Sequence, residues 1–399
     1  MEINVNRKSQ APIKVLFRVD SSANLGCGHM VRCIALAEQL ASLNVICTFA
    51  CRELPGDEAN HLIAGQFRLI RLAAPQSWQE FNRNDFRSWA QNDPVWDVKN
   101  TLSRFAGEQF SWVIIDHYAW QAEEHIQLRQ LGKKILVIDD LCNRNIDADI
   151  VVDSGENSEQ DYRRLCLTKN ARLLLGRQFL PLRKAYADLR LLAKPKNKVV
   201  KRILVACGAT DPENYSARLL AILSDMPIVE NLQVDCALMP KAPFLKEIEQ
   251  LCSQYDNFSL HINPNMAELV DRCDMALGTA ASGCWERCVL GCPSGIFMGG
   301  SDQRLNFEAL IARGACRDIS EENSFNNISV SAVTELVRLW STGQCSERVP
   351  AYSDAQQMAL TACDAYGARR IAEVMLGDNK LSDKSLVGNS LDDRRLAEG

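Results

Sequence analysis

Short apolar runs alternate along this chain with longer stretches in which apolar side chains recur every three or four positions. The runs at 15–19, 45–51, 112–116, 135–139, 150–153 and 172–175 are almost continuously apolar, as strands buried on both faces must be. Between them lie helical patterns. The clearest puts Met30, Cys33, Ile34, Ala37, Leu40 and Ala41 on one face. Strands alternating with helices predict a parallel sheet covered on both sides. The stretch from Gln76 to Gly107 breaks the rhythm, carrying Trp78, Trp89 and Trp96 among polar residues, and reads as an excursion from the sheet, an insertion or a lid. At Leu191-Leu192-Ala193-Lys194-Pro195-Lys196-Asn197-Lys198 the pattern stops in a polar, basic, proline-broken segment with the character of a linker. It restarts with runs at 202–207, 233–238, 258–262, 275–277 and 295–298. Both halves open with a strand, a glycine-bearing turn and a helix. The expectation is an α/β protein of two domains, 12–190 and 200–376, followed by a charged Ser/Asp-rich tail at 377–399 expected to be disordered.

Bulk composition narrows the function. A chain of 399 residues has room for two cores, and a net charge of −5 does not suit a nucleic-acid binder held by counterion release. No apolar run approaches the roughly 20 residues of a membrane helix, and the first eleven residues lack the apolar centre of a secretory signal. Sixteen cysteines scattered through core segments fit reduced thiols in a cytoplasmic protein better than a disulfide scaffold.

Chemistry concentrates where strands end. Val15 to Val19 runs into Asp20-Ser21-Ser22, then Gly26-Cys27-Gly28-His29 opens the first helix. Backbone N–H groups at such a helix start suit phosphate. This is not the dinucleotide fingerprint: position 31 is Val where a third glycine is needed, and Ala50-Cys51-Arg52 offers no acidic strand end. No phosphate-loop lysine follows either. His29 reads as a general base kept neutral by the helix start, or as a residue that caps and packs. Asp20 orients that ring or caps the turn. Arg18 and Arg32 flank an anionic ligand or are solvated. Asp116-His117-Tyr118 and Asp139-Asp140 close the next strands, on the side where α/β sheets bind ligands. No further ligand at a persuasive spacing makes the paired carboxylates a metal site. Cys284, Cys288 and Cys292 recur every four residues, but no Cys-x-x-Cys occurs, and they read as small buried hydrophobes. In the second half, Gly278-Thr279-Ala280-Ala281-Ser282-Gly283 leads to Glu286, whose carboxylate suits a ribose or simply favours the helix start. Gly299-Gly300-Ser301-Asp302-Gln303-Arg304-Leu305-Asn306 is a second polar turn entering a helix, and two such turns favour a nucleotide cleft.

Several of these pieces carry a family resemblance: Phe17-Arg18-x-Asp20-Ser21-Ser22 leading to Gly26-x-Gly28-His29 and Arg32; Ile115-Asp116-His117-Tyr118 with Ile138-Asp139-Asp140; and Arg172-Leu173-Leu174-Leu175-Gly176 with Leu182-Arg183. Up to about residue 315 the chain resembles the nucleotide-sugar hydrolases of pseudaminic acid biosynthesis, which remove UDP from UDP-2,4-diacetamido-2,4,6-trideoxy-β-L-altropyranose. The resemblance implies two Rossmann-like domains facing a cleft, a glycosyltransferase-B-like fold. It makes His29 the base that activates water, with Asp20 beside it in the catalytic set and Tyr118 lining the sugar pocket. Arg18, Gly26, Gly28, Arg32, Asp116 and His117 complete the substrate site of the first domain. In the second, the turns at Gly208-Ala209-Thr210 and Ser282-Gly283 hold uracil and diphosphate, and Glu286 the ribose. Asp302, Gln303 and Asn306 look like the superfamily's Gln/Asn-bearing loop. The implied partner is a UDP-sugar, with no metal, cofactor, nucleic acid or membrane span. Cys207-Gly208-Ala209 departs from the family's two glycines, and Asp153-Ser154 from its Asn-containing strand end. The Trp-bearing excursion and the chain beyond 315 lie outside the match. A glycosyltransferase of the same fold and a non-catalytic UDP-sugar-binding protein are the alternatives.

Overall fold

The computed structural model describes residues 12–377, apart from 76–81, 83–84, 91–92, 156, 193–197 and 323. Trp78, most of the linker and the tail beyond 377 therefore lie outside the described residues. The first half folds as β1 (Lys14–Val19), β2 (Ile46–Arg52), β3 (Arg68–Leu72), β4 (Phe110–Asp116), β5 (Gly132–Ile138), β6 (Ile150–Asp153) and β7 (Arg172–Leu175), paired in the order β3-β2-β1-β4-β5-β6-β7. The second half gives β8 (Arg202–Ala206), β9 (Gln233–Leu238), β10 (Phe258–Ile262), β11 (Met275–Thr279), β12 (Ser294–Phe297) and β13 (Cys316–Asp318), in the order β10-β9-β8-β11-β12-β13. Every pairing within these two sheets is parallel. A small antiparallel ribbon, Ser320–Glu321 with Ser324–Ile328, follows β13.

Alternation along β1 shows how the first sheet is built. Val15, Phe17 and Val19 point to one face, where Phe17 stacks on Phe49 at 4.7 Å and the helix Gly28–Ser42 lays down Met30, Cys33, Ile34, Ala37 and Leu40. Leu16 points the other way, into a core with Val113, Ile115 and Trp120. Ala41, at the end of the same helix, is exposed rather than on its buried face. The second sheet likewise has a core on each face, one around Leu219, Val205 and Trp340 and one around Trp285, Leu204 and Ile296.

Two elements cross between the halves and shift the boundaries expected at 190 and 376. The helix Lys184–Leu192 places Tyr186 and Ala187 in a core of the second sheet. The last helix, Gly367–Leu376, returns to the first, burying Ile371, Ala372 and Met375 beside Met30 and Ile34. In each sheet the strand order reverses beside its first strand: β1 lies between β2 and β4, and β8 between β9 and β11. Loops leaving those strands diverge to opposite faces and open a crevice at their carboxyl ends. That rule puts the loops after β1, β4, β8 and β11 at the site.

Candidate active site

Strand β1 contains a charge that an apolar strand does not tolerate alone. Arg18 is fully buried. Its guanidinium grips Asp20 through both Nη atoms (2.7 and 3.0 Å) and Asp97 through Nη2 (2.9 and 2.8 Å), and lies 4.9 Å from the Trp120 ring. Arg52, at the end of β2, donates to the same Asp20 from its backbone N–H (2.8 Å) and its Nε (3.0 Å). Burial alone would raise the Asp20 carboxyl; Arg18 and Arg52 overrule it and hold it well below the usual carboxylate range. Breaking a buried network of this kind costs about 3–5 kcal/mol. These are the struts of the loop rather than ligand groups. Arg18 is not at an anion site, and Asp20 is not the residue that orients His29. Asp20, Asp97 and His117 also bring ligand atoms within 4.8 Å of one another, but the two guanidiniums already neutralise the carboxylates.

The orienting carboxylate comes from β4. His29, second residue of the helix Gly28–Ser42, sets its Nδ1 2.6 Å from Asp116 Oδ1, with its side chain 14% exposed to the cleft. Arg32, one turn on, forks onto Asp116 through Nε (2.6 Å to Oδ2) and Nη2 (2.7 Å to Oδ1), and its Nη1 pairs with Asp140. Burial opposes ionisation of Asp116, but Arg32, and after it His29, hold its carboxyl well below the usual range. An ionised, acceptor-only Asp116 fixes the neutral ring as the Nδ1–H tautomer and leaves Nε2 as its acceptor. Cys27, the N-cap, makes no side-chain cap to the first-turn N–H groups beside His29.

Tyr118 stands edge-on to the His29 ring, centroids 4.5 Å apart, and donates its OH to Asp140 Oδ2 at 2.5 Å. Burial pushes the Tyr118 phenol above its ordinary range. Behind it, the one-turn helix Phe86–Ala90 of the Trp-bearing excursion contributes Trp89, 5.4 Å from Tyr118 and 6.2 Å from His29. The excursion is thus a wall of the site. Leu25, His29, Trp89, Asp116, His117 and Tyr118, with Asp20, line a cleft of about 220 Å³, part of it open to solvent. Asp140 and Trp89 are the residues that sequence reasoning left out. Asp140 was visible as one of a strand-end pair, but nothing local says that Asp139 turns inward to Arg144 and Tyr162 while Asp140 faces Arg32.

Across the cleft, the second half presents its own turns. A Cβ built on Gly28 would lie 3.3 Å from Ser282 Oγ, so the two glycine turns face each other directly. Thr210 donates to the carbonyl of Ala23 (3.1 Å), tying the loop after β8 to the loop after β1. Gly208 has φ +112°, a conformation that favours glycine, and is exposed; the neighbouring Ala209 carbonyl accepts from Met239 N–H at 2.8 Å. Glu286 sits in the first turn of the helix Gly283–Val289, and burial raises its carboxyl despite Tyr186, Arg287 and Arg183 nearby. The Gln303 side-chain carbonyl accepts from Gly299 N–H at 2.9 Å, and Asn306 Oδ1 from Trp285 Nε1 at 3.1 Å. Those two oxygens brace the turn from within, while Asp302 stays half-buried at its rim. Cys284, Cys288 and Cys292 are buried.

Such a pair of parallel α/β sheets with apposed glycine turns defines a class: the chain has the glycosyltransferase-B fold. It aligns with a glycotransferase of kitacinnamycin (TM-score 0.60, 12% identity, 93% of this chain and 99% of that one). It also aligns with an S. aureus MnaA–UDP complex (0.57, 10%, 93% and 98%) and with Acinetobacter baumannii MurG (0.54, 14%, 92% and 99%). No protein-family model matches the chain. Two curated relatives are more particular. An uncharacterized protein of Methanocaldococcus jannaschii is 26% identical over 289 residues, 70% of this chain and 54% of its own length. The UDP-2,4-diacetamido-2,4,6-trideoxy-β-L-altropyranose hydrolase of Campylobacter jejuni is 24% identical over 273 residues, 68% of this chain and 86% of that enzyme. This chain spans about half the length of the archaeal relative.

Proposed function

We propose that this chain is a UDP-sugar-processing enzyme. Specifically, it hydrolyses UDP-2,4-diacetamido-2,4,6-trideoxy-β-L-altropyranose or a close analogue, a step of pseudaminic acid formation. The observation that carries the reading is the 2.6 Å pairing of His29 Nδ1 with Asp116, itself held by Arg32, at the mouth of the cleft. The distant relationship to the Campylobacter jejuni hydrolase supports the same assignment.

In this mechanism the His29 Nε2 lone pair accepts a proton from water as the water oxygen bonds to the anomeric carbon. The bond from that carbon to the diphosphate oxygen breaks, and UDP leaves with the electron pair. Attack opposite the leaving group inverts the centre. A nucleoside diphosphate is stable as an anion, so it needs charge stabilisation more than a proton donor, and one base suffices where glycosidases use two carboxylates. Asp116 stabilises the imidazolium that forms and keeps the ring aimed. Tyr118 borders the sugar. The first-turn N–H groups after Gly26 and Gly28 face the diphosphate. The second domain takes the nucleotide, with Gly208, Ala209, Thr210, Ser282 and Gly283 around uracil and diphosphate and Glu286 on the ribose; Asp302, Gln303 and Asn306 shape the loop that completes it.

Incubation with the sugar nucleotide alone in ¹⁸O-water tests this. The expected products are UDP and a free sugar bearing the label. Label in the phosphate would mean P–O cleavage. Turnover only with an added acceptor would mean a transferase, and tight binding without UDP release a binding protein.

A further inference from the structure

Of the sequence pieces singled out above, Leu182-Arg183 has no task in the mechanism. Arg183 donates from Nε (3.0 Å) and Nη2 (2.6 Å) to Glu38, on the helix that carries His29. It fixes the start of the crossing helix Lys184–Leu192. Towards the other end, Arg190 donates to the carbonyls of Val289 (3.0 Å), Cys363 (3.2 Å) and Leu360 (2.9 Å). Val289 closes the helix whose first turn holds Glu286. The crossing helix is thus pinned to the helix of the proposed base and to the helix of the proposed ribose carboxylate. Between the pins lies Tyr186.

Tyr186 is 2% exposed, and its hydroxyl completes no hydrogen bond among the described residues. A buried hydroxyl left in that state is costly unless something arrives to complete it. The group it meets is Glu286. After burial, that carboxylate is what pushes the Tyr186 phenol above its ordinary range, and the phenol in turn opposes the rise that burial imposes on the Glu286 carboxyl. Arg183 and Arg287 are the cations that act on Glu286, and both are engaged elsewhere. Arg183 grips Glu38, while Arg287 donates to Ser294 Oγ (3.0 Å) and Cys284 Sγ (2.8 Å). Glu286 Oε2 lies 3.8 Å from where a Cβ on Gly283 would sit. The carboxyl therefore rests on the same turn whose Ser282 faces Gly28 across the cleft. An ionised carboxylate accepts both hydroxyls of a vicinal diol, whereas a protonated one has given up acceptor capacity. A donor on its protein side favours the ionised form and leaves the remaining lone pairs for the diol.

We propose that Tyr186 is a positioning residue for the nucleotide: when the ribose enters, the phenol donates to Glu286 and turns that carboxylate to the 2′- and 3′-hydroxyls. This rests on the part of the reading above that puts Glu286 on the ribose. The test is calorimetry of UDP and 2′-deoxy-UDP, in wild type and in Tyr186→Phe, across acidic to neutral pH. Wild type is expected to prefer UDP by about tenfold or more near neutral pH. Its UDP affinity is expected to fall as Glu286 takes up a proton on acidification. Tyr186→Phe is expected to lose at least about threefold of the preference. Without the phenol the carboxyl protonates more readily, so the acid loss of UDP affinity sets in about half a pH unit or more higher than in wild type. Unchanged preference and an unchanged pH profile in the variant overturn the proposal. The free variant is expected to melt as wild type does, because the deleted hydroxyl bonds nothing before the nucleotide arrives. A variant that melts well below wild type, or does not fold, shows that hydroxyl already bonded in the free protein and overturns the proposal too. Equal affinity of wild type for the two nucleotides removes Glu286 from the ribose and the proposal with it. Should wild type discriminate between them yet release no UDP from a UDP-sugar, the hydrolase reading fails and the role of Tyr186 stands.

Discussion

With Arg32 on one edge of its carboxylate and His29 Nδ1 on the other, Asp116 holds the imidazole in a single tautomer. Asp116→Asn keeps the shape and removes the charge that favours that tautomer. We expect kcat to fall at least about 10–10²-fold while UDP affinity persists, measured by steady-state kinetics and calorimetry. Undiminished kcat would show that the ring is aimed by something else. A second carboxyl behaves oppositely. Asp153 is pushed up to about 6, by burial and then by the neighbouring charge of Asp140, against the bonds it accepts from Gly155, Asn157 and Tyr162. Its folded form prefers the proton, so the stability it confers is full below about pH 4 and is lost as pH rises through about 6. Asp153→Asn should therefore gain in melting temperature relative to wild type between pH 4 and pH 8; parallel profiles would contradict the assignment. The residues of the site were legible because strand ends carry the chemistry: His29, Arg32, Asp116 and Tyr118 are all strand-end or helix-start positions. Their partners were less so. Arg18 reads as one more arginine near a ligand, whereas a charge inside five buried strand residues requires a buried counterion, and Asp20 two positions on was the available signal.

Among the elements, most strands announced themselves through apolar runs; of the four edge strands, β7 and β10 were legible in this way and β3 and β13 were not. β3, Arg68-Leu69-Ile70-Arg71-Leu72, interleaves arginines with apolar residues because one side of it has no neighbouring strand. β13 is the three residues Cys316-Arg317-Asp318, too short for any periodicity to register. The crossing helices were missed for another reason: an amphipathic stripe says that a face is buried but not against which sheet. Gly367 is where the last helix turns back to the first sheet. A Cβ there would sit 2.0 Å from the Leu180 carbonyl oxygen, with backbone all round it. Gly367→Ala is expected to cost about 1–3 kcal/mol by forcing the helix off that segment, read from the denaturant midpoint. A midpoint within error of wild type would mean that the helix shifts freely and does not tie the halves together.

At the scale of the whole molecule, the two sheets divide the work and meet through a few specific ties. Lys241 bonds the backbone carbonyl of Asp57 (2.5 Å) and, through its own N–H, Glu58 (2.6 Å); Thr210 reaches Ala23, and Arg183 reaches Glu38 at 2.6 Å. Gly28 and Ser282 face each other between these ties. This places the proposed base on one lobe and the proposed nucleotide turns on the other, so chemistry and UDP binding should separate under mutation. Among the described residues no helix is long and apolar enough to cross a membrane. The division of labour is tested most directly by His29→Asn, assayed for UDP release from the sugar nucleotide and for UDP affinity in the same preparation. The account predicts that turnover drops by about 10²–10⁴-fold while UDP still binds. Turnover at the wild-type rate would contradict it.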